Sequence, residues 1–275
     1  MIKSIIKFKE YLINEEKSRK TLEKYIRDVT AFYIWAGGHE ITKEVVMEYK
    51  NHILQNYAPR SVNSMLSSLN SFFSFLGRHD LKIKILKIQT RIFANQNKEL
   101  TKAEYERLLK AAKNKNDERL YLLMQTICSV GLRVSEIKYI TVEAVKAGLA
   151  MIDCKNKIRQ VFLPKALCQM LKSYITKRKI KSGSVFVTRT GKPLDRSNIW
   201  KMMTALCETA NVSKDKVFPH NLRHLFARTF YKAKKDIVRL ADILGHSSVN
   251  TTRIYTMESG AEHRRSIQKL GLLMC

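Results

Sequence analysis

Two histidines and an arginine fall on a single turn of the segment PHNLRHLFARTFY, residues 219–231. Leu222, Leu225, Phe226, Thr229 and Phe230 recur at helical spacing, and Pro219 suits a first helical position. Residues three and four apart share a face, so His220, Arg223 and His224 are predicted neighbours. His-x-x-x-His is a metal-ligand spacing. The zinc-protease form is His-Glu-x-x-His, however, and Asn221 stands where the Glu would be. An arginine between two ligands would also repel a cation. The same three side chains suit an anion, phosphate above all, because a guanidinium offers forked charged donors. The bland alternative is a helix with a polar face.

Four further stretches carry residue types of the same kind. GLRVSE places Arg133 just after a nearly all-apolar segment ends, with Glu136 three residues on. The turn Lys155-Asn156-Lys157 projects ammonium groups between two short strand-like runs, LAMID and RQVFLP. LGHSS sets His246 after Gly245, where a helix stops and the chain turns. TTRIYT carries Tyr255. Taken singly, each has an ordinary reading: a surface salt bridge, a solvated turn, a core tyrosine.

These residues need elements to hold them. The segment 117–131, DERLYLLMQTICSVG, is apolar on nearly every side and predicts a central buried helix stopped by Gly131. Before it, ELTKAEYERLLKAA opens with Thr101 and Glu104 in capping-box spacing and with Leu100 and Tyr105 as a hydrophobic staple. That marks the start of a second domain, 99–275. Within it SVFVT is a further short strand candidate, Asp195 caps a helix, and helices are expected near 236–244 and 248–255. Residues 1–77 read as helices only. One stripe runs through Leu22, Tyr25, Ile26, Val29, Phe32 and Tyr33, another through Val45, Val46, Tyr49, Ile53 and Leu54, and a third through Val62, Leu66, Leu69, Phe72, Phe73 and Leu76. The third helix starts at Arg60 and carries Ser61, Ser64, Ser67, Ser68 and Ser71 on its other face, small hydroxyls that let a helix approach a phosphate backbone. Residues 78–98 are basic and weakly periodic, and read as a linker.

Composition fits an anionic partner. Lys+Arg total 51 against 24 Asp+Glu, a net charge of +27, spread along the chain rather than gathered in a tail. Nucleic acid is the first partner this implies, an anionic membrane the second. No stretch approaches the ~20 apolar residues of a membrane span, and the N-terminus, interrupted by Glu10, Glu15 and Glu16, is not a signal peptide. The five cysteines lie far apart without a Cys-x-x-Cys, which suits a reducing cytoplasm and suggests neither disulfides nor a zinc knuckle.

In their order, GLRVSE, the lysine hairpin, HNLRH, LGHSS and TTRIYT resemble the tyrosine recombinase family of phage integrases and Xer-like enzymes. The resemblance extends to the helical residues 1–77, where APRSVNSMLSSLNSFFSFL is typical of that family's core-binding domain. It implies a mainly α protein with a small β-sheet: an N-terminal SAM-like helical domain and a C-terminal α+β catalytic domain. It implies site-specific cleavage and rejoining of double-stranded DNA through a covalent 3′-phosphotyrosine, without metal or other cofactor, in a tetramer on two sites. Residue by residue, Arg133 and Arg223 would grip the scissile phosphate and Tyr255 would attack it. His220 would be the base, and His246 would hydrogen-bond a phosphate oxygen. Lys155 or Lys157 would protonate the leaving 5′ oxygen, Lys155 being favoured by its place at the end of the first strand. Glu136 and His224 would orient these groups, and Arg60, Ser64, Lys157 and Arg159 would contact DNA. The hairpin, CKNKIRQ, is shorter than the glycine-containing turn of many members. A type IB topoisomerase shares the Arg-Lys-Arg-His-Tyr set, and a non-catalytic DNA-binding protein is the remaining alternative. After Tyr255, a helix through Ser266–Leu270 and an apolar end, Leu272, Leu273 and Met274, would pack on their own domain or on a neighbouring subunit.

Overall fold

The computed structural model describes residues 2–88, 98–153, 158–256 and Gln268. Two expectations fall outside that set: the lysine pair Lys155 and Lys157, and the packing of the C-terminal tail. The chain divides into two compact units, residues 1–90 and 91–275.

Four helices build the first unit: α1 (Ile2–Asn14), α2 (Arg19–Ala36), α3 (Lys43–Asn56) and α4 (Pro59–Phe75). Side-chain oxygens of Ser18 and Thr42 cap α2 and α3, and Pro59 opens α4 where its missing N–H costs nothing. The apolar stripes meet in an aromatic core. The Phe8 and Phe72 rings pack edge-on at 5.1 Å, and Phe32 and Tyr49 do so at 5.0 Å. One carboxylate enters this core. Asp28 is buried, paired with Lys24 and accepting from Ser68 Oγ at 2.8 Å. Ser68, expected on the outer face of α4, therefore points inward, because a buried carboxylate needs partners. Arg60 and Ser64 are exposed.

Residues 78–88, read as linker, instead lie along the first unit. Leu81 and Ile83 join its core. Past a 3-10 turn at His79–Leu81, the extended chain is held by asparagines of α4. Asn70 donates to Ile83 O at 2.8 Å and accepts from Ile83 N at 3.0 Å, and Asn63 does the same for Leu86 at 2.9 and 2.7 Å. The spacing explains the fit: seven helical residues rise about 10.5 Å and three extended residues about 10 Å. Lys43 and Lys50 donate to further carbonyls of the same stretch.

The second unit opens on the expected capping box. Thr101 accepts from Glu104 N, and Glu104 Oε2 accepts from Thr101 N at 2.8 Å, starting α5 (Lys102–Asn114). Helix α6 (Glu118–Val130) is central, with Leu120, Leu122, Leu123, Met124, Thr126, Ile127 and Val130 buried, and Gly131 ends it at φ 66°. After a 3-10 turn, Val134–Tyr139, and α7 (Val142–Ala147), strands β1 (Leu149–Asp153) and β2 (Ile158–Phe162) pair antiparallel from Leu149↔Phe162 to Asp153↔Ile158. Helix α8 (Lys165–Lys177) follows. SVFVT is not a strand. Ser184 and Val187 each make one isolated bridge, to Thr141 and Pro193, so no ladder forms although Val185 and Phe186 are fully buried. Asp195 caps α9 (Arg196–Thr204) as expected. Then come α10 (Pro219–Lys234), α11 (Ile237–Leu244), α12 (Val249–Thr252) and a closing 3-10 turn, Arg253–Tyr255. No described helix is long and apolar enough to cross a membrane.

Candidate active site

Three helix ends converge on one place: the C-terminus of α6, the first turns of α10 and the C-terminus of α11. Arg223, on α10, is 1 % exposed and ties the other two together. Its Nη1 donates to Gly131 O at 2.6 Å and its Nη2 to Leu244 O at 2.7 Å. Both acceptors are end-of-helix carbonyls with no intrahelical donor, where the helix dipole also favours a cation. Close approach is possible because Gly131 has no side chain; a Cβ there would sit 2.5 Å from the Phe226 ring. Burial lowers the Arg223 guanidinium to about 10, so it stays charged at neutral pH. Much of its donor fork, expected on a phosphate, is thus committed to backbone. Its buried Nε has no hydrogen-bond partner among the described residues.

Arg133 stands at the edge, with its side chain 36 % exposed. Nη1 donates to Glu136 Oε1 at 2.8 Å and Nη2 makes a long 3.3 Å contact to Gly245 O. Glu136 is 1 % exposed. Burial alone would raise its carboxyl, but the Arg133 N–H and the guanidiniums of Arg159 and Arg133 outweigh that and hold it low, hence ionised. Arg159 was expected on DNA and is placed otherwise. Its side chain is 15 % exposed, Nη2 donates to Glu136 Oε2 at 2.7 Å and Nη1 donates to Ile243 O. A buried carboxylate and an open helix end are stronger attractors for this guanidinium than solvent.

The histidines surround Tyr255, which is 4 % exposed. The His224 ring meets the phenol edge-on at 5.0 Å, and the His246 ring lies nearly parallel to it at 6.2 Å. His220 packs against His224 at 4.5 Å rather than against Tyr255. His246 Nε2 lies 3.0 Å from Arg223 Nη2, which can only donate, so Nε2 accepts and Nδ1 carries the proton, 2.8 Å from Thr252 Oγ1. Desolvation first, and the neighbouring arginines second, lower His246 to about 4. Desolvation, His220 and Arg223 lower His224 to about 4. Loss of solvent around the His220 ring, with Arg223, Arg133 and Arg196 nearby, lowers that group too. Near pH 7 all three imidazoles are neutral. Burial raises the Tyr255 phenol, against the pull of Arg223 and Arg133, so it is protonated there and needs a base to attack.

The site thus gathers Arg133, Glu136, Arg159, His220, Arg223, His224, His246 and Tyr255. Two supporting residues had no signal of their own. Asn221, buried between the two histidines, donates to Lys98 O and Lys216 O at 2.8 Å each and fastens the start of α10. Thr252 is fully buried under His246, and its position three residues before Tyr255 is the one hint the sequence offers.

Comparison with known proteins places this arrangement. The model of the phage integrase family matches residues 98–262, and that of the phage integrase N-terminal SAM-like domain matches residues 5–80. The chain belongs to the phage integrase family. The recombinase is 30 % identical over 280 residues to tyrosine recombinase XerA of Thermococcus kodakarensis, covering 98 % of this chain and 95 % of that one. It is 27 % identical over 265 residues to tyrosine recombinase XerD of Halalkalibacterium halodurans, covering 87 % of each. Its fold is that of a lambda integrase (75–356) dimer bound to a COC′ core site, with a TM-score of 0.74, 18 % identity, and 94 % and 96 % of the two chains covered. The chain is a tyrosine-type site-specific recombinase, and the topoisomerase and non-catalytic readings are not favoured.

Proposed function

We propose that the recombinase binds duplex DNA in the cytoplasm and that Tyr255 is its nucleophile. The phenol oxygen forms a bond to phosphorus as the P–O5′ bond breaks, leaving a 3′-phosphotyrosine and a free 5′ hydroxyl. The phenol proton passes to a neutral imidazole, the role the family resemblance gives His220, and a hairpin lysine, Lys155 or Lys157, returns one to the leaving oxygen. Attack by a 5′ hydroxyl from a second strand reverses the step and rejoins DNA without an external energy source. Arg133 and Arg223 offset the charge that builds on the non-bridging oxygens, and His246, its proton moved to Nε2 with Thr252 Oγ1 donating to Nδ1, hydrogen-bonds there once phosphate draws Arg223 away from it. Glu136 and His224 orient this set. The first unit serves as the core-binding domain, with Arg60 and Ser64 on DNA, and four copies assemble on two sites.

The observation that carries this reading is the surroundings of the Tyr255 side chain: its ring is buried against the rings of two neutral histidines, and its hydroxyl is protonated and under the pull of two guanidiniums. Tyr255→Phe removes only the attacking oxygen. A nicked duplex that loses its short 5′ fragment on cleavage should trap a covalent adduct with the native enzyme and none with the variant, while both shift the duplex in a native gel. An adduct formed by Tyr255→Phe would reject Tyr255 as nucleophile.

A further inference from the structure

The guanidinium of Arg159 faces the interior of the site, with its side chain 15 % exposed. Its aliphatic stem lies over Gly245, so closely that a Cβ there would sit 2.5 Å from Arg159 Cδ. Nη1 is spent on Ile243 O and Nη2 on Glu136 Oε2, and Nε is buried without a partner among the described residues.

Its two acceptors are the supports of the anion grip. Ile243, Leu244 and Gly245 present successive carbonyls at the end of α11, and these are taken by Arg159, Arg223 and Arg133 respectively. The next residue is His246. Glu136 divides its oxygens: Oε1 takes Arg133 Nη1, and Oε2 takes Arg159 Nη2 and the Arg133 backbone N–H. With Oε2 occupied, Arg133 can hold the carboxylate through one nitrogen only. Without Arg159, the fork of Arg133 would be free to close on both oxygens, the preferred geometry of an arginine–carboxylate pair, and would turn away from solvent. Ile243 O would lose its charged donor, and the turn carrying His246 would loosen.

We propose that Arg159 is a positioning residue for the strand-transfer reaction. It keeps Glu136 from capturing Arg133 and fixes the α11 end that presents His246. It reads no DNA. This rests on the reading of Arg133 as part of the phosphate grip.

Arg159→Met and Arg159→Lys test it, each checked for a cooperative thermal melt. Met keeps the stem over Gly245. Lys keeps the charge but places one ammonium where two acceptors need donors. Two quantities are read with the nicked duplex: the single-turnover rate of adduct formation at saturating DNA, and the slope of log affinity against log salt. The expected result for either variant is a rate at least tenfold lower, affinity within twofold, and an unchanged slope. Adding Glu136→Gln to Arg159→Met should recover part of the rate, since a neutral amide cannot lock Arg133. A slope shallower by about one, with weaker binding and a normal rate at saturation, is the mark of a lost phosphate contact and would overturn the proposal. So would a normal rate in the Lys variant, should the Met variant not fold. Arg133→Ala, run alongside, separates the two readings. If it too cleaves normally, the grip assignment fails; if it alone is dead, only the role of Arg159 falls.

Discussion

Neutral imidazoles are what burial first, and the nearby guanidiniums second, demand at this site. A charged imidazole would lose its solvation here and then face positive neighbours, and the depressed values of His224 and His246 express both costs. The folded values lie near 4 against an ordinary 6.5, so as pH falls through that window the unfolded chain takes up protons first. Stability contributed by these rings is therefore present above about pH 6.5 and lost toward pH 4. The melting temperature should drop across that range, and His246→Gln should make the drop shallower; calorimetry in matched ionic strength is the check. An equally steep drop in the variant would mean that the carboxylates, not this histidine, set the acid limit. At this scale, much of the site was legible. Arg133, Arg223, His246 and Tyr255 were picked out by type and order because each belongs to a short motif. Arg159 was misread because a cation on an amphipathic strand looks solvent-facing until the buried carboxylate across from it is known. Thr252 carried only its place three residues before Tyr255, since a threonine in a four-residue helix is unremarkable until a histidine sits on it.

Among the elements, the helices declared themselves and the extended segments did not. Periodicity and caps located α2 to α6 because both are local properties of the chain. SVFVT has the composition of a strand, yet a strand exists only if a partner's backbone is free to pair, and composition is silent on that. Residues 78–88 show the converse. Several of their backbone groups are satisfied by side chains of α3 and α4, so neither alternation nor periodicity was required of them. Asn70 makes two hydrogen bonds to Ile83 and leaves two backbone groups unpaired when removed. Asn70→Ala should destabilise the first unit by about 1–3 kcal/mol, measured by urea unfolding. Amide exchange at Ile83 should accelerate more than at Leu86, which keeps Asn63. No change at either amide would show that burial of Ile83 and Leu81, rather than the asparagine, fixes this stretch.

For the molecule as a whole, charge is the dominant property. The net +27 is carried by both units, the larger share by the second. Binding of both to one duplex would release counterions along its length, giving affinity a steep dependence on salt. A fragment beginning at Lys98 should bind more weakly, with a shallower log–log salt slope, and should retain only traces of cleavage. Filter binding over a range of salt would measure this. Equal slopes for fragment and full chain would remove the first unit from the DNA interface.

Three guanidiniums share a single carboxylate at the heart of the second unit, and the surrounding histidines are neutral. The free site is thus short of negative charge, and on the proposed reading a bound phosphate would supply it. Copies seated on DNA would then be the relaxed form, and unoccupied copies would keep a repulsion among their arginines that Glu136 alone does not cancel. In a cell this difference would become one of survival. Molecules without DNA would open more often and offer themselves sooner to proteases, so the population would drift toward those already seated on DNA. The features that prepare the site for chemistry would also ration how long an unemployed recombinase lasts.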